Sequence, residues 1–258
     1  MQQKDMSFVD HIGELRKRLI IVAAWMLAAM IAGFFLAPFM ISYLQDIPQA
    51  EEFPMNAFNL TDPLKVYVNF AFFTGLIMIF PIILYQIWAF ISPGLLEKER
   101  KITLAYIPIA VILFLIGLSF SFFILFPFVI DFLSNLADQL GITEQYGVNE
   151  YFAFLFQLTV PFGFLFQLPV VIMFLTRLGL VTPDFLSRIR KYAYFVLLLI
   201  AGFITPPEIV SHLMVTVPLL LLYEISIIIS RLTYKRMLKE EEKRQQELIE
   251  SEQNQDES

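Results

Sequence analysis

Arg190-Lys191-Tyr192-Ala193-Tyr194-Phe195-Val196-Leu197-Leu198-Leu199-Ile200-Ala201-Gly202-Phe203-Ile204-Thr205-Pro206-Pro207 is the stretch on which the layout of this chain turns. Its uncharged part, Tyr192–Ile204, is 13 residues, about 20 Å as a helix. A hydrocarbon core about 30 Å thick asks for about 20 residues. The segment therefore either crosses a membrane as an unusually short span or is a buried or re-entrant piece. The charges around it choose between the two. Arg177, Arg188, Arg190 and Lys191 precede it, and only Glu208 lies in the loop that follows.

Working outward, four longer stretches are apolar and uncharged except at their edges: Leu19–Leu44, Val66–Ile91, Ile102–Ile130 and Tyr151–Thr176. Each is long enough to span with tilt. Ile209–Ser230 adds 22 residues, interrupted by His212, Pro218 and Glu224. Short cytoplasmic loops collect Lys and Arg. The flanks here alternate strictly if Tyr192–Ile204 crosses. Arg16, Lys17 and Arg18 precede the first span; Lys98, Arg100 and Lys101 follow the second; Arg231, Lys235 and Arg236 follow the last. The flanks and loops on that face hold 14 bases and 6 acids up to Met237, whereas the opposite loops hold Lys65 alone against nine acids. If Tyr192–Ile204 did not cross, the last basic group would fall on the acidic face. The reading is an all-α membrane protein of six transmembrane helices, both termini cytoplasmic. No cleavable leader is expected, because the run after Arg16-Lys17-Arg18 is too long and lacks an A-x-A site.

Composition agrees. Of 258 residues, 58% are hydrophobic, 16% charged and 28 are Phe, with a mean hydropathy of +0.69. A soluble domain is about 45–50% apolar and about 25% charged, so a soluble enzyme is excluded, as is a disordered chain. The net charge of −6 argues against nucleic acid as a partner. With no cysteine there is no disulfide or thiolate chemistry. No Walker-type loop, H-E-x-x-H, G-x-S-x-G or metal-binding motif appears, so no cofactor or metal is expected. The expected organisation is a cytoplasmic amphipathic segment over 1–18, one membrane domain over 19–230 and a charged cytoplasmic tail over 231–258. The tail from Lys239 reads as a frayed helix or disorder.

Candidate functional residues lie mostly on the basic face. Ser7 with Asp10 resembles a capping box, and Phe8, Ile12, Leu15 and Leu19 then share one helical face. On local spacing Glu14 pairs with Arg18 at i,i+4. Ser92-Pro93 suits a helix start, placing Glu97 and Glu99 near it. Cytoplasmic carboxylates in basic surroundings can receive a cationic peptide, and a carboxylate takes a guanidinium through paired hydrogen bonds that lysine cannot copy. Within the spans the notable polar groups are Gln157, Gln167, His212 and Glu224. Glu224 is near enough to the cytoplasmic end to snorkel. Gln167 suits backbone carbonyls freed by Pro161 or Pro169. Pro38, Pro81, Pro108, Pro127, Pro161, Pro169 and Pro218 predict kinks.

Several motifs, taken in order, resemble the TatC family, the multispanning subunit of the twin-arginine protein translocase. They are Asp10-His11-Ile12-Gly13-Glu14-Leu15-Arg16-Lys17-Arg18-Leu19; Phe80-Pro81 through Ser92-Pro93-Gly94-Leu95; Glu99-Arg100; Phe166-Gln167-Leu168-Pro169; Ile204-Thr205-Pro206-Pro207-Glu208; and Tyr223-Glu224-Ile225 with Ser230-Arg231. The resemblance covers about residues 7–231. It implies a cupped six-helix bundle with short fifth and sixth helices, in the bacterial plasma membrane. It implies a receptor for the paired arginines of signal peptides on folded cargo, with Glu14 and Glu99 as the binding carboxylates and Phe90, Pro93 and Arg16 beside them. It implies single-span partners of the TatA and TatB type at the fifth and sixth spans, near a polar cluster with Thr205 and His212. Gln167 and Glu224 are grouped with that cluster. It further implies an oligomeric complex and export driven by the proton gradient. Two positions depart from the pattern: His212 stands where some members have Gln, and Gln167 where many have Glu. On the residues, two other classes are open. A small-solute transporter finds weak support in Gln167, Glu224 and the short span, and a membrane hydrolase lacks any base–nucleophile pair.

Overall fold

The computed structural model describes residues 8–45, 55–95, 97–205 and 209–256, with side chains over 12–45, 55–95, 100–205 and 210–246. Ten α-helices occur among them: α1 Phe8–Gln45, α2 Asp62–Ile91, α3 Glu97–Leu104, α4 Tyr106–Phe120, α5 Phe126–Leu140, α6 Val148–Leu165, α7 Leu168–Arg177, α8 Pro183–Arg188, α9 Arg190–Ile204 and α10 Ile209–Asp256. Five stretches are long and apolar enough to cross a membrane: Ile12–Gln45, Asp62–Gly94, Arg100–Leu140, Val148–Arg177 and Val210–Gln246. The protein is thus an all-α membrane protein. The expected short fifth span is α9, 15 residues or about 22 Å. Large side chains left exposed, such as Leu27, Phe35, Phe39 and Phe203, suit a bilayer rather than water as the surrounding solvent.

Prolines act in two ways. The helix runs on through Pro38, Pro81, Pro161 and Pro218. It is interrupted near the other three. Before Pro127 the third span widens into a π turn, Ser121–Leu125, because proline has no N–H for the carbonyl one turn back and its ring crowds that carbonyl. Before Pro169 the fourth span breaks at Phe166–Gln167. Ala105 separates α3 from α4, three residues ahead of Pro108.

Two local expectations change. Ser92–Gly94 is a 3₁₀ turn closing α2, with Leu95 extended after it, so the next helix begins at Glu97 rather than at Pro93. The sixth helix is not short. Its apolar part continues without a breaker into the charged tail, giving one helix of 48 residues through Asp256. Ser7 of the expected cap, and Pro206, Pro207 and Glu208, lie outside the described residues.

The chain divides into two units, Met1–Phe164 and Leu165–Ser258. In the first, α1 and α2 run antiparallel at close range. A Cβ at Gly33 would sit 2.5 Å from the Ala71 carbonyl oxygen, and one at Gly75 would sit 3.0 Å from the Met30 nitrogen. Phe rings fill the rest. Phe80 stacks on Phe114 at 3.7 Å, and Phe70 meets Phe152 and Phe156 edge-on at 4.9 Å. At the loop end, Asn56 N–H donates to Tyr146 O at 3.1 Å and Val148 N–H to Asn56 O at 2.9 Å. Burial, then the neighbouring Glu144 carboxylate, push the Tyr146 phenol up to about 12.

In the second unit α7 packs on α10, where Thr176 and Ser230 share a hydroxyl hydrogen bond at 2.8 Å. Thr182 caps α8, its Oγ1 accepting from Phe185 N–H at 3.3 Å. Tyr223 OH donates to Leu186 O at 2.9 Å. Arg177, 9% exposed at its side chain, pairs with Glu240 at 2.5 Å and ties the helical tail to α7.

Candidate functional site

Glu14 lies two turns into α1. Arg18, one turn further, returns its guanidinium to it: Nε donates to Glu14 Oε1 at 3.2 Å and Nη2 binds the same oxygen. The i,i+4 pair read from spacing is therefore present. Arg18 Nη1 also donates to Gln86 Oε1 on α2 at 3.2 Å. This contact continues the antiparallel register of Gly33 beside Ala71 and Met30 beside Gly75. Four residues on along each helix, the same register brings Glu14 level with Phe90, just before the 3₁₀ turn that holds Pro93. Pro93 and Arg16 are exposed and Phe90 half-buried.

The segment carrying Glu99 is held back against α2. Trp88 Nε1 donates to Thr103 Oγ1 at 3.1 Å, Thr103 Oγ1 donates to Arg100 O at 3.3 Å, and the Arg100 guanidinium lies 5.7 Å from the Trp88 ring centroid. A planar cation over an indole face is held by the ring's quadrupole. The backbone of Glu99 is in α3, so the residue is helical and one position before Arg100; its side chain lies outside the described residues. The structure thus gathers Glu14, Arg18, Gln86, Phe90, Pro93 and the start of α3 at one end of the first unit. Gln86 and Trp88 were not singled out from the sequence. Neither forms a local charge pattern, and their partners are 68 and 15 residues away.

The second candidate group does not form one cluster. Thr205 is buried and donates to Ala201 O at 2.9 Å. His212 fills the space beside Gly202, where an added Cβ would come within 3.2 Å of its Cε1. Thr216 Oγ1 donates to His212 O at 2.7 Å, and the Ser211 hydroxyl is buried with no hydrogen-bond partner among the described residues. These four sit at the meeting of α9 and α10. Glu224 is 12 residues along α10 from His212, about 18 Å. There it accepts from Arg190 Nη2 at 3.0 Å and from Tyr194 OH at 2.5 Å. It is an ion pair across two helices rather than a lone snorkelling carboxylate. Gln167 is buried at the break between α6 and α7, its backbone oxygen accepting from Val171 N–H at 2.9 Å. Among the described residues no group of His, Asp and Glu could hold a metal.

The family model for "Sec-independent protein translocase protein (TatC)" matches residues 10–218. The chain belongs to the TatC family. It is 64% identical to TatC of Halalkalibacterium halodurans over 96% of this chain and 98% of that one. It is 60% identical to TatCy of Bacillus subtilis over 93% and 94%. Its fold matches a crystal structure described as the twin arginine translocase receptor TatC, with a TM-score of 0.77 at 33% identity, covering 86% of this chain and 99% of the other. TatC is a multi-pass membrane component of a protein translocase, a transport protein rather than an enzyme. TatC membership accounts for the absence of any nucleophile–base pair in the sequence, and it makes the polar ends of the two units the places to look for function.

Proposed function

We propose that the protein is the signal-peptide receptor of its translocase, that it lies in the bacterial plasma membrane with both termini cytoplasmic, and that Glu14 and Glu99 receive the paired arginines of the signal. What supports this most is the α1–α2 register. It brings Glu14 level with Phe90 near the end of α2, and the Trp88–Thr103 hydrogen bond ties α3, whose backbone includes Glu99, to α2. Two carboxylates on two helices match two guanidinium groups, and Arg16, Phe90 and Pro93 border them. Carboxylate–guanidinium contacts at a wet surface are individually modest, so selectivity rests on geometry together with the membrane-inserted part of the signal.

TatA-type and TatB-type single-span subunits then bind at α9 and α10, and folded cargo crosses at the expense of the proton gradient. Support for this face is twofold. Phe195, Leu199 and Phe203 are exposed at i, i+4 and i+8 on α9, and the buried Ser211 hydroxyl, beside His212 in sequence, has no hydrogen-bond partner among the described residues. The test is crosslinking of an Arg-Arg signal peptide to the full chain in membranes. Glu14→Ala and Glu99→Ala are each expected to reduce it at least tenfold while insertion stays normal. Undiminished crosslinking in the double variant removes the reading. A solute transporter would instead show uptake in proteoliposomes without partner subunits.

A further inference from the structure

The Arg18 guanidinium lies between acceptors on two different helices. Helical spacing explains its contact with Glu14. It does not explain the contact from Nη1 to Gln86 Oε1 at 3.2 Å, which crosses from α1 to α2. Glu14 and Arg18 are each only 20% exposed at the side chain, so the arrangement is partly withdrawn from water. A guanidinium is flat and presents its donors along fixed edges. Here one edge faces the carboxylate and the remaining nitrogen faces the amide oxygen. An ammonium is a point charge without edges at fixed angles, and it does not reproduce both contacts from one position.

We infer that Gln86 is a specificity-determining residue of the signal-peptide site. Glu14 and Gln86 together form a cradle for one guanidinium, which Arg18 fills in the unliganded protein and a signal arginine takes over. This rests on the proposed role of Glu14. The exchange explains selectivity without high affinity. An incoming arginine replaces the contacts Arg18 gives up, so that step is nearly balanced, and binding is driven by the second arginine and the rest of the signal. An incoming lysine restores the charge opposite Glu14 but leaves the Gln86 oxygen without its donor. That loss is worth about one hydrogen bond, a factor of about five.

The experiment titrates the full chain in lipid nanodiscs with fluorescent signal peptides carrying Arg-Arg or Lys-Lys. Gln86→Ala is expected to narrow the preference for Arg-Arg by about fivefold. Gln86→Met, which keeps the side-chain length without the acceptor, is expected to do the same, separating the lost oxygen from a loosened α1–α2 contact. Arg18→Gln is expected to tighten Arg-Arg binding about two- to fivefold, because the internal competitor is gone. If Arg18 were merely structural, the same change would weaken binding. An unchanged Arg-Arg preference in either Gln86 variant overturns the cradle, and equal or weaker binding by Arg18→Gln overturns the exchange. Glu14→Ala separates the two levels. Wild-type binding there removes the proposed function itself, whereas lost binding there with unaltered Gln86 and Arg18 variants removes only this inference.

Discussion

Glu224 shows how an acidic residue persists inside an apolar span. On α10 alone it would face hydrocarbon, and such groups normally face protein partners. Arg190, at the first position of α9, supplies the cation at 2.9 Å, and Tyr194 donates its hydroxyl from one turn further on. Both charged groups are more than a third exposed, so the pair is worth about 1 kcal/mol rather than the several expected of a buried one. Glu224→Ala and Arg190→Ala are each expected to lower the unfolding temperature in detergent. The double variant should lose less than the sum of the two, with a coupling of about 1 kcal/mol. Additive losses would mean the pair carries no interaction energy. From spacing alone Glu224 was indistinguishable from a snorkelling residue, because its partners come from another helix. Glu14 was the opposite case. Its neighbour Arg18 was legible at i,i+4, while Gln86, from 68 residues away, was not.

At the scale of elements, glycine decides how closely α1 and α2 approach. Replacing Gly33 by Leu puts a Cβ 2.5 Å from the Ala71 carbonyl oxygen, which is backbone and has nowhere to yield. The variant is expected to lose about 1–3 kcal/mol, the usual cost of overpacking, and with it the Arg18–Gln86 register. Gly13, in the same helix, has nothing within 4 Å of an added Cβ. Gly13→Ala is expected to stabilise by about 0.5–1 kcal/mol, since alanine loses less backbone entropy in a helix. Thermal unfolding of the two variants in detergent reads this contrast, and equal destabilisation would contradict it. The short α9 was visible in the sequence as Tyr192–Ile204, bounded by Lys191 and Thr205-Pro206. The length of α10 was not. Charge density in the tail suggested fraying, yet the segment contains no proline or glycine after Pro218, and Glu240 is paired with Arg177.

For the whole molecule, the alternation of basic and acidic loops makes a sharp forecast of topology. The chain has no cysteine, so single cysteines report accessibility without background. With six crossings, a membrane-impermeant maleimide should label Asp138→Cys in intact cells, and Arg236→Cys only after the membrane is opened. If α9 did not cross, Arg236→Cys would be labelled in intact cells too. The all-α membrane class and the family were readable from the chain because they depend on hydropathy and on motifs contiguous in sequence. The helix break at Phe166–Gln167 was half readable, since Pro169 announces it while the division of the chain there follows from contacts. Which polar residues meet was a matter of packing. Gln86 joins Arg18, Arg190 joins Glu224, and Trp88 holds the helix that carries Glu99, whereas Thr205 and His212 lie away from Glu224. Such meetings depend on helix register and rotation between segments tens of residues apart. No local pattern in the chain encodes them.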